Sequence, residues 1–161
     1  MPISCPLDVR ALTEEEFEER DYRIMGHAFA SQNRLGRLCE EGIYQRDLQA
    51  RLLADGFQSV HIEEPVTVSH ADFTKVYSLD LIADDAVYEL KTVTALNNEH
   101  QAQLLNYLFL LEIPRGKLIN FRPAKVQGRI HATSCFGQVQ NLLGHFHRHP
   151  TGPQLGNRSV A

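Results

Sequence analysis

The apolar and polar positions alternate most clearly over residues 79–91, Leu-Asp-Leu-Ile-Ala-Asp-Asp-Ala-Val-Tyr-Glu-Leu-Lys. Branched and aromatic residues fill two short runs, and the paired aspartates between them suit a two-residue turn, so the stretch predicts a β-hairpin. With Asp84 and Asp85 as the loop, Asp80 falls opposite Glu89. Directly opposed side chains share a face, with Cβ atoms roughly 4.5–5.5 Å apart. Lys91, two residues beyond Glu89, projects from the same face. Leu79, Leu81 and Leu90 flank these charges and mark the strands as central.

Helical spacing dominates upstream. Thr13 followed by Glu16 reads as a capping box, and Phe17, Ile24 and Ala28, with Met25 and Phe29 beside them, predict a helix ending at Asn33 or Leu35. A second helix is expected from Cys39 to Ala54, with Ile43, Tyr44, Leu48, Leu52 and Leu53 on its apolar face and Asp55-Gly56 closing it. Glu41, one turn before Tyr44, could point toward a sheet. Two strands are expected at Phe57–Ile62 and Pro65–Val68, and Val76-Tyr77 leads into the hairpin. Asn97-Asn98 caps a heavily apolar helix over Glu99–Leu111, which Pro114-Arg115-Gly116 ends. Strands follow at Lys117–Phe121 and Arg129–Thr133. This order gives an α/β fold, a sheet flanked by helices. A short helix over Val139–Phe146 and a polar tail complete the chain.

The 161 residues suit one domain with a real core. The net charge of −4 argues against coating nucleic acid by electrostatics alone. That charge is uneven. Residues 14–21 hold six acids and one arginine, which the positive end of a helix dipole explains, and the remainder is close to +1. Three scattered cysteines, Cys5, Cys39 and Cys135, favour reduced thiols over disulfides. No apolar run is long enough to span a bilayer, and the Met1–Cys5 segment lacks a basic-then-apolar leader. The expectation is a cytoplasmic protein without a membrane.

The candidate chemistry lies on the hairpin. Like charges directly opposed destabilise a sheet unless a cation sits between them, so Asp80, Glu89 and Lys91 look like a metal site. The plainer alternative is a solvated face with an ion pair contributing about 0–1 kcal/mol; the flanking leucines weigh against it. His145, His147 and His149 could bind metal but read more simply as an exposed tail. Neither a phosphate-binding glycine loop nor a serine-nucleophile motif is present.

The order of Asp80-Leu81, Glu89-Leu90-Lys91 and a helix bearing Gln103-Leu104-Leu105-Asn106-Tyr107, with Glu41-Gly42-Ile43-Tyr44 upstream and Leu118-Ile119-Asn120-Phe121 downstream, resembles the PD-(D/E)XK nuclease superfamily, and within it the small bacterial GxxExxY proteins. The resemblance runs from about Ile24 to Ile130. One departure stands out: the glycine expected three residues before Glu41 is Leu38, while Gly36 matches an earlier glycine of the pattern.

The resemblance implies a restriction-endonuclease-like core, αβββαβ with a mixed central sheet. It also implies a single domain over residues 1–135 with an extension at 136–161. It implies hydrolysis of phosphodiesters in nucleic acid, DNA ahead of RNA, in defence or repair, with Mg²⁺ or Mn²⁺ as cofactor. Asp80, Glu89, the Leu90 carbonyl and Glu41 are then the metal ligands. Asp80, Glu89, Lys91 and Glu41 form the catalytic set, Lys91 orienting water or stabilising developing charge. Gln103 and Tyr107, four apart on one helical face, support the site or touch phosphate, and His100 is a further substrate candidate. A homodimer or larger complex fits the small size. The alternative is a catalytically silent nuclease fold that binds nucleic acid or a protein partner.

Overall fold

The computed structural model of the protein describes residues 2–133. The first helix, α1 (Glu14–Leu35), starts at a true capping box: Thr13 Oγ1 accepts from the Glu16 N–H at 3.2 Å, and the Glu16 carboxylate accepts from the Thr13 N–H at 2.9 Å. α2 (Glu41–Ala54) begins two residues later than the sequence pattern suggests. Of the predicted apolar faces, Phe17, Ile24 and Ala28 of α1 and Tyr44, Leu48 and Leu52 of α2 are buried, whereas Phe29, Ile43 and Leu53 are exposed. The latter three stand about 100° round the helix from a buried neighbour, outside the stripe the sheet covers.

Among the described residues the sheet has six strands in sequence order: β1 (Ile3–Ser4), β2 (Val60–His70), β3 (Phe73–Ala83), β4 (Ala86–Lys91), β5 (Arg115–Asn120) and β6 (Gln127–Ala132). All neighbours are antiparallel except β4 and β5. Those two are joined by α3 (Asn98–Leu110), the crossover that a parallel pair needs. The run from α2 to β5 is therefore the expected αβββαβ unit, with α1 and β1 added before it and β6 after.

Two strand expectations change. The separate strands at Phe57–Ile62 and Pro65–Val68 are one, β2, starting at Val60. The apparent break is Glu63, held at φ 52° within the ladder. Pro65 is tolerated because β1 pairs only with Thr67 and Val68, so the outer edge of β2 at Pro65 has no strand to miss its N–H. Phe57 is buried without being in a strand; its ring lies 4.3 Å beneath the Arg23 guanidinium. The predicted helix over Val139–Phe146, the histidines at 145, 147 and 149, and Cys135 lie outside the described residues.

The sheet is buried on both faces. Tyr88 and Leu90 join Phe17 and Ile24 of α1 and Tyr44 and Leu48 of α2 in one apolar cluster. Ile82, Val87 and Leu118 join Leu104, Tyr107 and Leu108 of α3 in the other. Central strands buried on both sides lose the polar alternation of a surface strand, and any charged residue in them must find a partner.

Candidate active site

The β3–β4 hairpin turns at Asp84-Asp85, with φ of 41° and 71°, the two left-handed residues of a type I′ turn. Asp84 Oδ1 accepts from the N–H groups of Gln58 and Ser59 at 3.0 and 2.8 Å, fixing the turn. The pairs Ala83 with Ala86, Ile82 with Val87 and Leu81 with Tyr88 set the register, and one step further places Asp80 across from Glu89. There the ladder gives way to a side chain: the Leu90 N–H donates to Asp80 Oδ2 at 2.8 Å. The Asp80 carboxylate thus fills the gap between the two strands.

Glu89 is the more buried of the pair, 1% exposed. Lys91 Nζ donates to its Oε1 at 2.6 Å. Its Oε2 is buried and, among the described residues, accepts no hydrogen bond. An unmatched buried carboxylate oxygen costs free energy, and the electrostatics register it. Burial pushes the Glu89 carboxyl up to about 8, with the Asp80 charge adding to the rise and Lys91 opposing it. Asp80 is raised as well, again mainly by burial, against the pull of the Leu90 N–H, Lys91 and a hydrogen bond from the Glu89 carboxyl when that group holds its proton. Burial alone would lower the Lys91 ammonium, but Glu89, Asp80 and Glu41 together hold it above its ordinary value.

Glu41 opens α2 and enters the same field. Its carboxyl is raised by burial, tempered by Lys91 and lifted again by Asp80. From α3, the buried Tyr107 presents a hydroxyl that accepts from Gln103 Nε2 at 2.9 Å. Burial raises that phenol, and Glu89 and Asp80 add to the effect. Asp80, Glu89, Lys91, Glu41 and Tyr107 therefore share one electrostatic site, with Gln103 attached through Tyr107. His100 caps α3: its Nδ1 accepts from the Asn97 N–H, and its own N–H donates to Asn97 Oδ1, each at 3.1 Å.

Two residues of this neighbourhood escape sequence reasoning. Gln45 is buried on α2, and its Nε2 donates to Asp80 Oδ1 at 3.1 Å. It lies one turn after Glu41, so an i, i+4 relation was the available signal. Glu63 faces Asp80 across β2, between the pairs Ile62–Leu81 and Glu64–Leu79, and its charge contributes to raising Asp80. Nothing in the sequence pattern marks it.

The arrangement carries surplus negative charge: three carboxylates press on one another around a single ammonium. Among the described residues, no three acidic, histidine or cysteine side chains form a ready ligand set. Lys91 holds one Glu89 oxygen, while Gln45 and Leu90 engage those of Asp80. The free Glu89 Oε2 beside a second carboxylate nonetheless suits a small hard cation, which takes one or two carboxylates and keeps several waters. Among the described residues, no helix is long and apolar enough to cross a membrane.

No curated protein matches this chain. A family model for the PD-(D/E)XK nuclease superfamily matches residues 18–131, a span containing every residue of this site. The chain belongs to the PD-(D/E)XK nuclease superfamily, whose members are hydrolytic nucleases that act on nucleic acid and generally use divalent metal ions.

Proposed function

We propose that this chain is a Mg²⁺- or Mn²⁺-dependent nuclease hydrolysing phosphodiester bonds in DNA, in defence against foreign DNA or in repair. The nuclease domain extends over residues 1–135, with 136–161 an extension. The observation that carries the reading is Glu89 Oε2, a buried oxygen that accepts no hydrogen bond among the described residues and lies beside Asp80 and Glu41. Asp80 and Glu89, aided by Glu41 and the Leu90 carbonyl, would hold the cation, which when bound neutralises a non-bridging phosphate oxygen and makes water acidic enough to act near neutral pH. The Leu90 N–H points at Asp80, and a strand residue turns its N–H and C=O to the same neighbour, which supports that carbonyl as a ligand.

The protein's own groups do the rest. Lys91 spends one of its three N–H donors on Glu89; the others can orient an attacking water and stabilise charge developing on the phosphate. Gln45 keeps the Asp80 carboxylate turned into the gap. Tyr107, steadied by Gln103, forms the α3 side of the site.

The test is incubation of the purified chain with duplex DNA, single-stranded DNA and RNA, in Mg²⁺, Mn²⁺ or EDTA, beside Asp80→Asn and Lys91→Ala. Cleavage of DNA that needs the cation and falls at least ~100-fold in each folded variant is expected, the scale on which a single electrostatic group acts. A preparation cutting none of these with either cation, or a Lys91→Ala protein as active as wild type, overturns it.

A further inference from the structure

Two arginines next to this site have no role in the chemistry above. Arg122 follows β5 and is tied to the strand end that carries Lys91. The Phe121 N–H donates to the Lys91 carbonyl at 2.9 Å, and Asn120 Oδ1 accepts from the N–H groups of both Val93 and Arg122, at 3.1 and 3.2 Å. Arg37 lies four residues before Glu41, in the loop entering α2. Tyr44 Oη donates to the Gly36 carbonyl at 2.5 Å and pins that loop beneath the Phe121 ring, which stacks on Tyr44 with centroids 4.3 Å apart. Arg37 Nη1 donates to the Arg122 carbonyl at 3.3 Å. The two loops, and their two guanidinium-bearing residues, therefore meet at the edge of the acidic site.

Their charges are unanswered. Among the described residues, neither arginine takes part in an ion pair. Arg122 Nε is buried and has no hydrogen-bond partner among those residues. Exposed arginines commonly stay solvated, but a part-buried arginine with an empty buried Nε donor, its carbonyl held by a second arginine's side chain, is an unfavourable arrangement unless an anion arrives. The scaffold holds it rigidly: Gln32 Nε2, from α1, donates to both the Phe121 and Pro123 carbonyls, at 2.7 and 2.8 Å, clamping the loop on either side of Arg122. A phosphate drawn toward carboxylates needs positive charge beside them.

We propose that Arg37 and Arg122 form a phosphate-binding subsite, taking a backbone phosphate of the nucleic-acid strand next to the phosphate that is cleaved. This rests on the nuclease reading and names how that site takes hold of its substrate. A planar guanidinium fork matches a phosphate in two-point contact. Phosphate contacts fix position without reading sequence, so the subsite sets register of the strand over Lys91 rather than base preference.

The test measures binding apart from cleavage. Fluorescent single- and double-stranded DNA are titrated with the full chain in EDTA over a series of KCl concentrations, using wild type, Arg37→Ala, Arg122→Ala, Arg122→Lys and the double alanine variant. Each alanine is expected to weaken binding ~5- to 10-fold and to reduce the salt slope by about one, with Arg122→Lys keeping most of that slope. In Mg²⁺ or Mn²⁺ the same alanines raise KM with kcat nearly unchanged. Arg37 is exposed, so its alanine variant keeps the test sound if Arg122→Ala unfolds. A double variant that binds as tightly and with the same salt slope as wild type overturns the subsite alone. A wild-type chain that binds no nucleic acid overturns the subsite and the nuclease reading together.

Discussion

Glu89→Gln in the metal-free protein tests the electrostatic account most directly. Glu89 is held near 8 in the fold against an ordinary value of about 4.5. Between those limits the folded chain binds the proton and the unfolded chain does not. The stability associated with the protonated group is fully present below the ordinary value and is lost as pH rises through the folded one. Each pH unit across that window costs about 1.4 kcal/mol, so the ceiling is ~5 kcal/mol. Asp80 is raised too and titrates together with Glu89, so the loss belongs to the pair, and a fall of a few kcal/mol across the window is expected. Glutamine cannot ionise, and its variant should show a flatter profile by that difference. Urea unfolding in EDTA across the window, wild type beside Glu89→Gln, measures it as a divergence of the two curves. Added Mg²⁺ should restore wild-type stability at the alkaline end, since a cation held only by the folded state stabilises it by mass action, and should leave the variant little changed. Parallel curves for the two proteins would refute the claim that burial and Asp80 suppress ionisation of Glu89.

Gln45→Ala removes the Asp80 Oδ1 contact and leaves a buried carboxylate oxygen unmatched; a loss of ~1–3 kcal/mol in unfolding experiments is expected, with a lower cleavage rate and Gln45→Glu worse than alanine through added negative charge. Gln32→Ala frees one buried and one part-buried carbonyl; a drop of ~1–3 kcal/mol should appear as a lower melting temperature. Gly116→Ala would place a Cβ 2.9 Å from Leu108 Cδ2 and 3.0 Å from the Val87 carbonyl oxygen; overpacking between β4, β5 and α3 should cost ~1–3 kcal/mol by chemical denaturation.

The order of elements was legible because it rests on strong local signals: the Thr13–Glu16 capping box, the Asp84-Asp85 turn, Gly56 at φ 93° past α2, and Asn97 at the head of α3. The hairpin register followed from the turn alone, and with it the meeting of Asp80 and Glu89. Helix faces were less legible, since Phe29, Ile43 and Leu53 are apolar by composition but exposed by angle. The continuity of β2 was hidden, because proline and an acidic pair read as a break when the neighbouring edge is unknown. The contacts that decide the site chemistry were the least visible. Gln45 reaches Asp80 across 35 residues, and the clamp of Gln32 on the Arg122 loop spans about 90. No pattern of local spacing carries that information.

The placement of Lys91 bears on why the acidic cluster can exist without its cation. A carboxylate as buried as Glu89 cannot stay ionised alone, and a fixed ion pair would satisfy it at the cost of both oxygens. Here the ammonium engages one oxygen at 2.6 Å and leaves the other bare. Asp80 is treated in the same partial way, with one neutral amide and one main-chain N–H in place of a second cation. The protein thus stabilises its carboxylates enough to fold but leaves a donor position open between them. Replacing Gln45 by lysine should close that position: it would supply the missing charge, raise metal-free stability at alkaline pH and weaken divalent-cation binding in calorimetric titration. Tighter cation binding in Gln45→Lys would contradict the argument that unsatisfied negative charge, rather than shape, is what the site offers a metal.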